Sequence, residues 1–204
     1  MEKNELIHRM SPEHRISLIV GLGNPGAEYE NTRHNAGAWL VNQLAVQQQQ
    51  SLRVENKFYG TVASINSAGH KCYLLIPTTY MNHSGQAVCA IAKFYKIAAE
   101  NILIAHDEID LPAGAIRYKF GGGHGGHNGL RDIFKSLGSN EFYRLRIGIG
   151  RPKNSADVID YVLKRPSKSE QQHIDDAIDD ALHYIPEIIA GKTQQVMKAL
   201  HTEK

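Results

Sequence analysis

Between Ile16 and Gly37 the chain passes from an apolar, β-branched run, Ile16-Ser-Leu-Ile-Val20, through a turn crowded with Gly21, Gly23, Asn24, Pro25 and Gly26. It then enters a polar segment that reaches His34 as a helix begins. No other stretch limits the fold as much. A run of that composition suits a central strand covered on both faces. The glycines supply backbone angles closed to other residues, Pro25 presets one, and Asn24 tolerates positive φ, so the strand ends in a shaped turn. In an open α/β sheet, that end of a strand is where ligands bind.

The same turn, Gly21-Leu-Gly-Asn-Pro-Gly26, satisfies the dinucleotide pattern G-x-G-x-x-G. That pattern needs a helix opening at its second glycine and a carboxylate about twenty residues further on. Pro25 interrupts it, and the position for the acid falls in Val46-Gln-Gln-Gln-Gln50. The residues therefore argue against a Rossmann oxidoreductase. A phosphate-binding P-loop is missing its Gly-Lys-Ser/Thr.

Further along, strand character at 58–65, 71–76, 102–105, 115–120 and 142–149 alternates with helical patterns after His34, after Asn82, at 130–137 and from Ser167 onward. The first two of these strands read as a hairpin, 157–163 as a short helix or strand, and Pro186 as a kink or stop in the last helix. This order is that of an α/β protein, a single domain with a twisted mixed β-sheet flanked by helices. At 204 residues with 42% hydrophobic side chains, there is enough chain for one sizeable core. Residues 1–15 read as a flexible N-terminal extension and 16–204 as the domain. Cys72 and Cys89 form no C-x-x-C pair and read as free thiols of a reducing compartment. With no membrane-length apolar run and no signal-peptide block, the expected location is cytoplasmic. Nothing demands more than a monomer.

Polar side chains gather at the junctions that follow strands: Asn24 and His34 after the first, Asn82 after the hairpin, Asp107 after Ile102-Leu-Ile-Ala105, and Asn128 in the run Gly121-Gly-Gly-His-Gly-Gly-His-Asn-Gly129. A histidine held by a carboxylate is a general base near neutral pH, because the carboxylate fixes the tautomer and stabilises the imidazolium. Asparagines can orient water or donate to an oxyanion. The net charge of +2 does not announce a nucleic-acid binder, but 117–153 carries eight basic residues against Asp132 and Glu141.

Seven motifs occur in order: Gly21-Leu-Gly-Asn-Pro-Gly26, Tyr29, Thr32-Arg-His-Asn-Ala-Gly37, Pro77-Thr-Thr-Tyr-Met-Asn82, His106-Asp-Glu-Ile-Asp-Leu-Pro112, Gly121 to Leu130, and Arg144-Leu-Arg-Ile-Gly-Ile-Gly150. Together they resemble the signature of the bacterial-type peptidyl-tRNA hydrolases, whose fold is phosphorylase/hydrolase-like. The resemblance implies that His34 is the base activating water against the ester joining a peptide to the 3′ end of tRNA, and that Asp107 holds His34. It further implies that Asn24, Asn82 and Asn128 bind peptide, terminal nucleotide or water, with Tyr29 and Met81 in the same cleft. Lys119 and Arg146 match a clamp for the tRNA 5′-phosphate. No metal or cofactor is implied, and the partners are the acceptor arm and nascent peptide of peptidyl-tRNA.

Plainer readings stand beside these. Asn82 could be a helix cap, Asp107 a turn residue, and Lys119 and Arg146 exposed strand charges. A non-catalytic RNA-binding relative is the main alternative. A metal-dependent hydrolase using His124 and His127 with His34 or Asp107 is another.

Overall fold

The computed structural model describes residues 14–67 and 69–201. Most of the expected N-terminal extension therefore lies outside the described residues. The opening apolar run becomes β1 (Leu18–Gly21), and Leu18, Ile19 and Val20 are fully buried, as a strand covered on both faces must be. A turn and a short 3-10 segment over Arg33–Asn35 lead into α1 (Ala36–Gln47). No helix opens at Gly23, consistent with setting the dinucleotide reading aside.

Then come β2 (Arg53–Glu55), β3 (Gly60–Ser67) and β4 (His70–Pro77), with the last two forming the expected hairpin. Phe58 lies in a 3-10 turn rather than in the strand, and β2 has no counterpart in the sequence reading. A three-residue exposed edge strand carries no periodicity that could reveal it. After α2 (Ser84–Tyr95) follow β5 (Ile102–Glu108), β6 (Ile116–Phe120), α3 (Asn128–Leu137) and β7 (Tyr143–Gly148). The segment left open between helix and strand is helical, α4 (Val158–Val162). The C-terminal region comprises α5 (Lys168–His183), α6 (Ile185–Ile189) and α7 (Thr193–His201), with Pro186 in the first turn of α6. There its missing N–H costs nothing, so the proline starts a new helix where the old one stops.

The seven strands form one mixed sheet in the order β2-β3-β4-β1-β5-β7-β6. The inner four, β4, β1, β5 and β7, run parallel, while the outer pairings are antiparallel. One core packs α1, α5 and α6 on one face, including Leu40, Leu44, Ile178 and Ile188. The other packs α2 and α3 on the opposite face, including Val88, Ile91, Leu130 and Ile133. The connection from β1 passes through α1 on one face of the sheet and that from β4 through α2 on the other, which opens a crevice at the strands' carboxyl ends. At the far edge α7 lies against β6: the Tyr118 N–H donates to His201 Nε2, and Arg117 donates to the Leu200 carbonyl. Cys72 and Cys89 are free, as expected.

Candidate active site

The crevice at the ends of β1, β4 and β5 holds a cleft of about 370 Å³. Asn24, His34, Met81, Asn82, Asp107 and Asn128 line it, six of the nine residues expected at the site. Asp107 projects from the end of β5, where its carboxylate is buried. His34 sits on the 3-10 turn before α1, and its Nδ1 lies 2.9 Å from Asp107 Oδ1. Burial pushes the His34 imidazole down, but the charge and hydrogen bond of Asp107 outweigh it, so the ring titrates above its ordinary value. Asp107 is held well below the usual carboxylate range: burial opposes its charge, and the facing rings of His34 and His127 overcome that. An ionised carboxylate only accepts, so His34 Nδ1 carries the proton and its Nε2 is left as the basic nitrogen.

The asparagines differ in what they have to spare. Asn24 accepts the Met81 N–H at its Oδ1, 2.7 Å away, while Asn35 clasps its main chain at both N–H and carbonyl. What Asn24 can still offer a ligand is its Nδ2 donor. Asn82 does not cap a helix: it lies in a 3-10 turn over Met81–His83, and the residue before α2 is His83. Its exposed amide lines the cleft. Asn128 opens α3 and accepts from Arg131 at 3.1 Å. Tyr29 is not among the lining residues; its ring meets Tyr80 edge-on at 6.4 Å, and Tyr80 forms the rim.

Lys119 and Arg146 do not line the cleft; they lie on β6 and β7. Register places Lys119 opposite Arg144 and Arg117 opposite Arg146, so four cations share one face of the sheet's edge. Arg146 donates through Nε to Glu108 at 3.0 Å, and Glu108 also lines the cleft. Partial burial and the charges of Arg144 and Arg146 hold the Lys119 ammonium below its ordinary value. Four cations so placed concentrate positive potential on this face.

The sequence reading assigned no structural role to several residues at or beside the site, and it offered His127 only as a metal ligand. Buried Arg144 reaches under the glycine-rich run and donates to the carbonyls of Gly121 and Gly123. Gly121, Gly122, Gly125 and Gly126 of that run all have positive φ, which explains why other residues do not serve there. Arg33, also buried, donates to the Tyr161 and Lys164 carbonyls and pairs with Glu170 at 3.0 Å. It thereby docks α4, whose Val158, Ile159 and Val162 form an apolar wall of the cleft. His127 Nε2 lies 2.9 Å from the same Asp107 oxygen that holds His34, and His106 lies beneath it, ring centroids 5.0 Å apart. Only the tertiary fold brings these partners together, so spacing along the chain carried no signal for them.

The nitrogen and oxygen atoms of His34, Asp107 and His127 lie within 4.8 Å of one another, close enough to suggest a metal. The donor set does not suit one. His127 Nδ1 accepts the N–H groups of Gly129 and Leu130, so the proton is on Nε2, which has no lone pair to give. His124 Nδ1 is turned to the Gly126 N–H.

The peptidyl-tRNA hydrolase family model matches residues 18–204. The peptidyl-tRNA hydrolase of Marinomonas sp. (strain MWYL1) is 55% identical over 188 residues, 92% of this chain and 97% of that protein. That of Coxiella burnetii (strain CbuG_Q212) is 56% identical over 187 residues, 92% and 98% of the two chains. The crystal structure of peptidyl-tRNA hydrolase from Acinetobacter baumannii superposes with a TM-score of 0.90 at 51% identity, covering 93% of this chain and 96% of that one. Matched along nearly its whole described length in sequence and in fold, the chain belongs to the peptidyl-tRNA hydrolase family.

Proposed function

We infer that the protein hydrolyses the ester between a peptide and the 3′ end of tRNA, with His34 as general base and water as nucleophile. The 2.9 Å contact of His34 Nδ1 with Asp107, at the floor of a cleft open to ligand, carries this reading. His34 Nε2 takes a proton from water as the oxygen attacks the ester carbonyl. The imidazolium, stabilised by Asp107, then returns that proton to the departing ribose oxygen, leaving free tRNA and a peptide carboxylic acid that releases its own proton to solvent. General base catalysis of this kind contributes about 10² to 10⁴ in rate.

The Nδ2 of Asn24 and the amides of Asn82 and Asn128 supply donors for the carbonyl, the oxyanion and the terminal nucleotide. Met81 fills the floor between them, and Tyr29 supports the rim through Tyr80. Lys119 and Arg146 receive the 5′-phosphate, a site paired through Glu108 to the wall of the cleft. Every one of these groups comes from a single chain, so a monomer suffices. The substrate belongs to translation, which makes the cytoplasm the proposed compartment. No described helix is long and apolar enough to cross a membrane.

The test is cleavage of an N-acetylated aminoacyl-tRNA by the wild type and by His34→Ala, each with and without chelator. Chelator-resistant cleavage that falls by at least about 10²-fold in the variant, with tRNA affinity retained, is the expected result. Retained turnover in His34→Ala would refute the base assignment. Tight tRNA binding without cleavage by the wild type would favour a non-catalytic RNA binder.

A further inference from the structure

His127 uses both of its ring nitrogens. Nδ1 accepts the N–H groups of Gly129 and Leu130, 3.2 and 3.4 Å away, and so caps α3. Nε2 lies 2.9 Å from Asp107 Oδ1, the oxygen that also holds His34. A nitrogen that accepts from the main chain is unprotonated, so this ring is neutral and donates to Asp107 through Nε2. Histidine is not among the favoured helix caps, which are Asn, Asp, Ser and Thr. A shorter cap would satisfy the helix but could not bridge to the carboxylate. The surroundings are cut to fit the ring: a Cβ at Gly129 would stand 3.2 Å from His127 Cε1 and 2.6 Å from Met81 Sδ.

We propose that His127 is a positioning residue for the hydrolysis, tying Asp107 to the N-terminus of α3 and sharing that carboxylate's charge with His34. This rests on His34 acting as the base. Two donors on one oxygen divide its negative charge, so each draws less from it than it would alone. His127 thus restrains how tightly His34 holds its proton, which a base that must give the proton back requires. It also pins the carboxylate against rotation, since the ring is anchored to main-chain N–H groups.

The other charged groups around His34 are few. From β5, His106 donates Nδ1–H to the Asp107 carbonyl at 2.7 Å. Burial above all pulls it down to about 3, so it stays neutral. Glu108 is paired with Arg146, and Arg144 is turned to the glycine carbonyls. His124 lines the cleft from the glycine-rich run, and Arg33, next to His34, is paired with Glu170. The wall from α4, with Val158, Ile159 and Val162, brings nothing titratable.

His127→Asn and His127→Ser each keep a favoured cap and lose the donor to Asp107. His127→Gln extends an amide N–H to the position of Nε2. The decisive measurement is the titration midpoint of the His34 ring by proton NMR in the full-length protein, with kcat and KM on N-acetylated aminoacyl-tRNA alongside. In the Asn and Ser variants the midpoint should rise by about one pH unit. The acid limb of kcat should move with it, and kcat should fall about tenfold with KM unchanged. Gln should restore the wild-type midpoint. An unchanged midpoint in whichever of Asn or Ser folds reduces His127 to a helix cap and overturns the proposal. His34→Ala run in parallel separates the two readings: turnover surviving there refutes the base, whereas turnover lost there with an unmoved midpoint refutes only the role of His127.

Discussion

Asp107 is buried yet ionised because two histidines face it, and its near neighbour His106 is buried and neutral because burial outweighs the pull of the Asp107 charge. Asp107→Asn keeps the shape but loses the charge that stabilises the His34 imidazolium. Turnover of N-acetylated aminoacyl-tRNA should fall at least about 10²-fold with tRNA affinity intact; a wild-type rate would make Asp107 structural. His106 has a consequence for stability. Unfolded, it takes a proton below 6.5, whereas folded it refuses one until about 3, so stability drops as pH falls through that window. His34 works in the opposite sense: its raised value adds stability that is complete below 6.5 and is lost as pH climbs from there through the raised value. In urea titrations between pH 6 and pH 4, His106→Gln should reduce the acid slope by up to about 1.4 kcal/mol per pH unit. Equal slopes would show that His106 accepts a proton in the native state. His34 and Asp107 were legible because junction residues of catalytic type are unusual in number here. The parts played by His106 and His127 were not, since the first is a plain strand residue by pattern and the second, offered only as a metal ligand, gains its bond to Asp107 from the fold.

At the scale of elements, the distance between His34 and Asp107 is set by how closely α1 lies on β5. Gly37 makes that approach possible: a Cβ there would stand 2.1 Å from the Ala105 carbonyl oxygen. Gly37→Ala should cost about 3 kcal/mol in urea unfolding. By parting base and carboxylate it should also lower kcat about 10²-fold. Unchanged stability and rate would mean that α1 can shift without consequence. The parallel strands and the helices packed on them were readable from apolar runs and period. The short elements, β2 and the exact nature of α4, were not. Five residues of helix hold too few turns to show a period, and α4 owes its place to Arg33, which donates to the Tyr161 and Lys164 carbonyls.

The whole molecule is electrically lopsided despite a net charge of only +2. Arg117, Lys119, Arg144 and Arg146 share one face of the β6–β7 edge, while Asp175, Asp176, Asp179 and Asp180 lie on α5. Affinity for tRNA should fall with salt at about −0.7 to −0.9 in log–log slope for each phosphate contacted. Lys119→Ala should flatten that slope by about one such unit, read by filter binding from 50 to 200 mM salt. An unaltered slope would move the phosphate site elsewhere. The local excess of positive charge was visible in the sequence, but its placement on one face needed the strand register.

The covering of β6 by α7 bears on how the protein is made. On the ribosome, the residues of β6 emerge well before Thr193–His201, and at typical elongation rates the gap is roughly 4 to 15 s. For that interval the outer strand has no helix over it and could pair with a strand of a neighbouring chain. Arg117 and Lys119 lie on that strand, and charged side chains are what keep a bare edge from such pairing. Removing the charge of Lys119 is therefore expected to raise aggregation during synthesis as well as to weaken RNA binding.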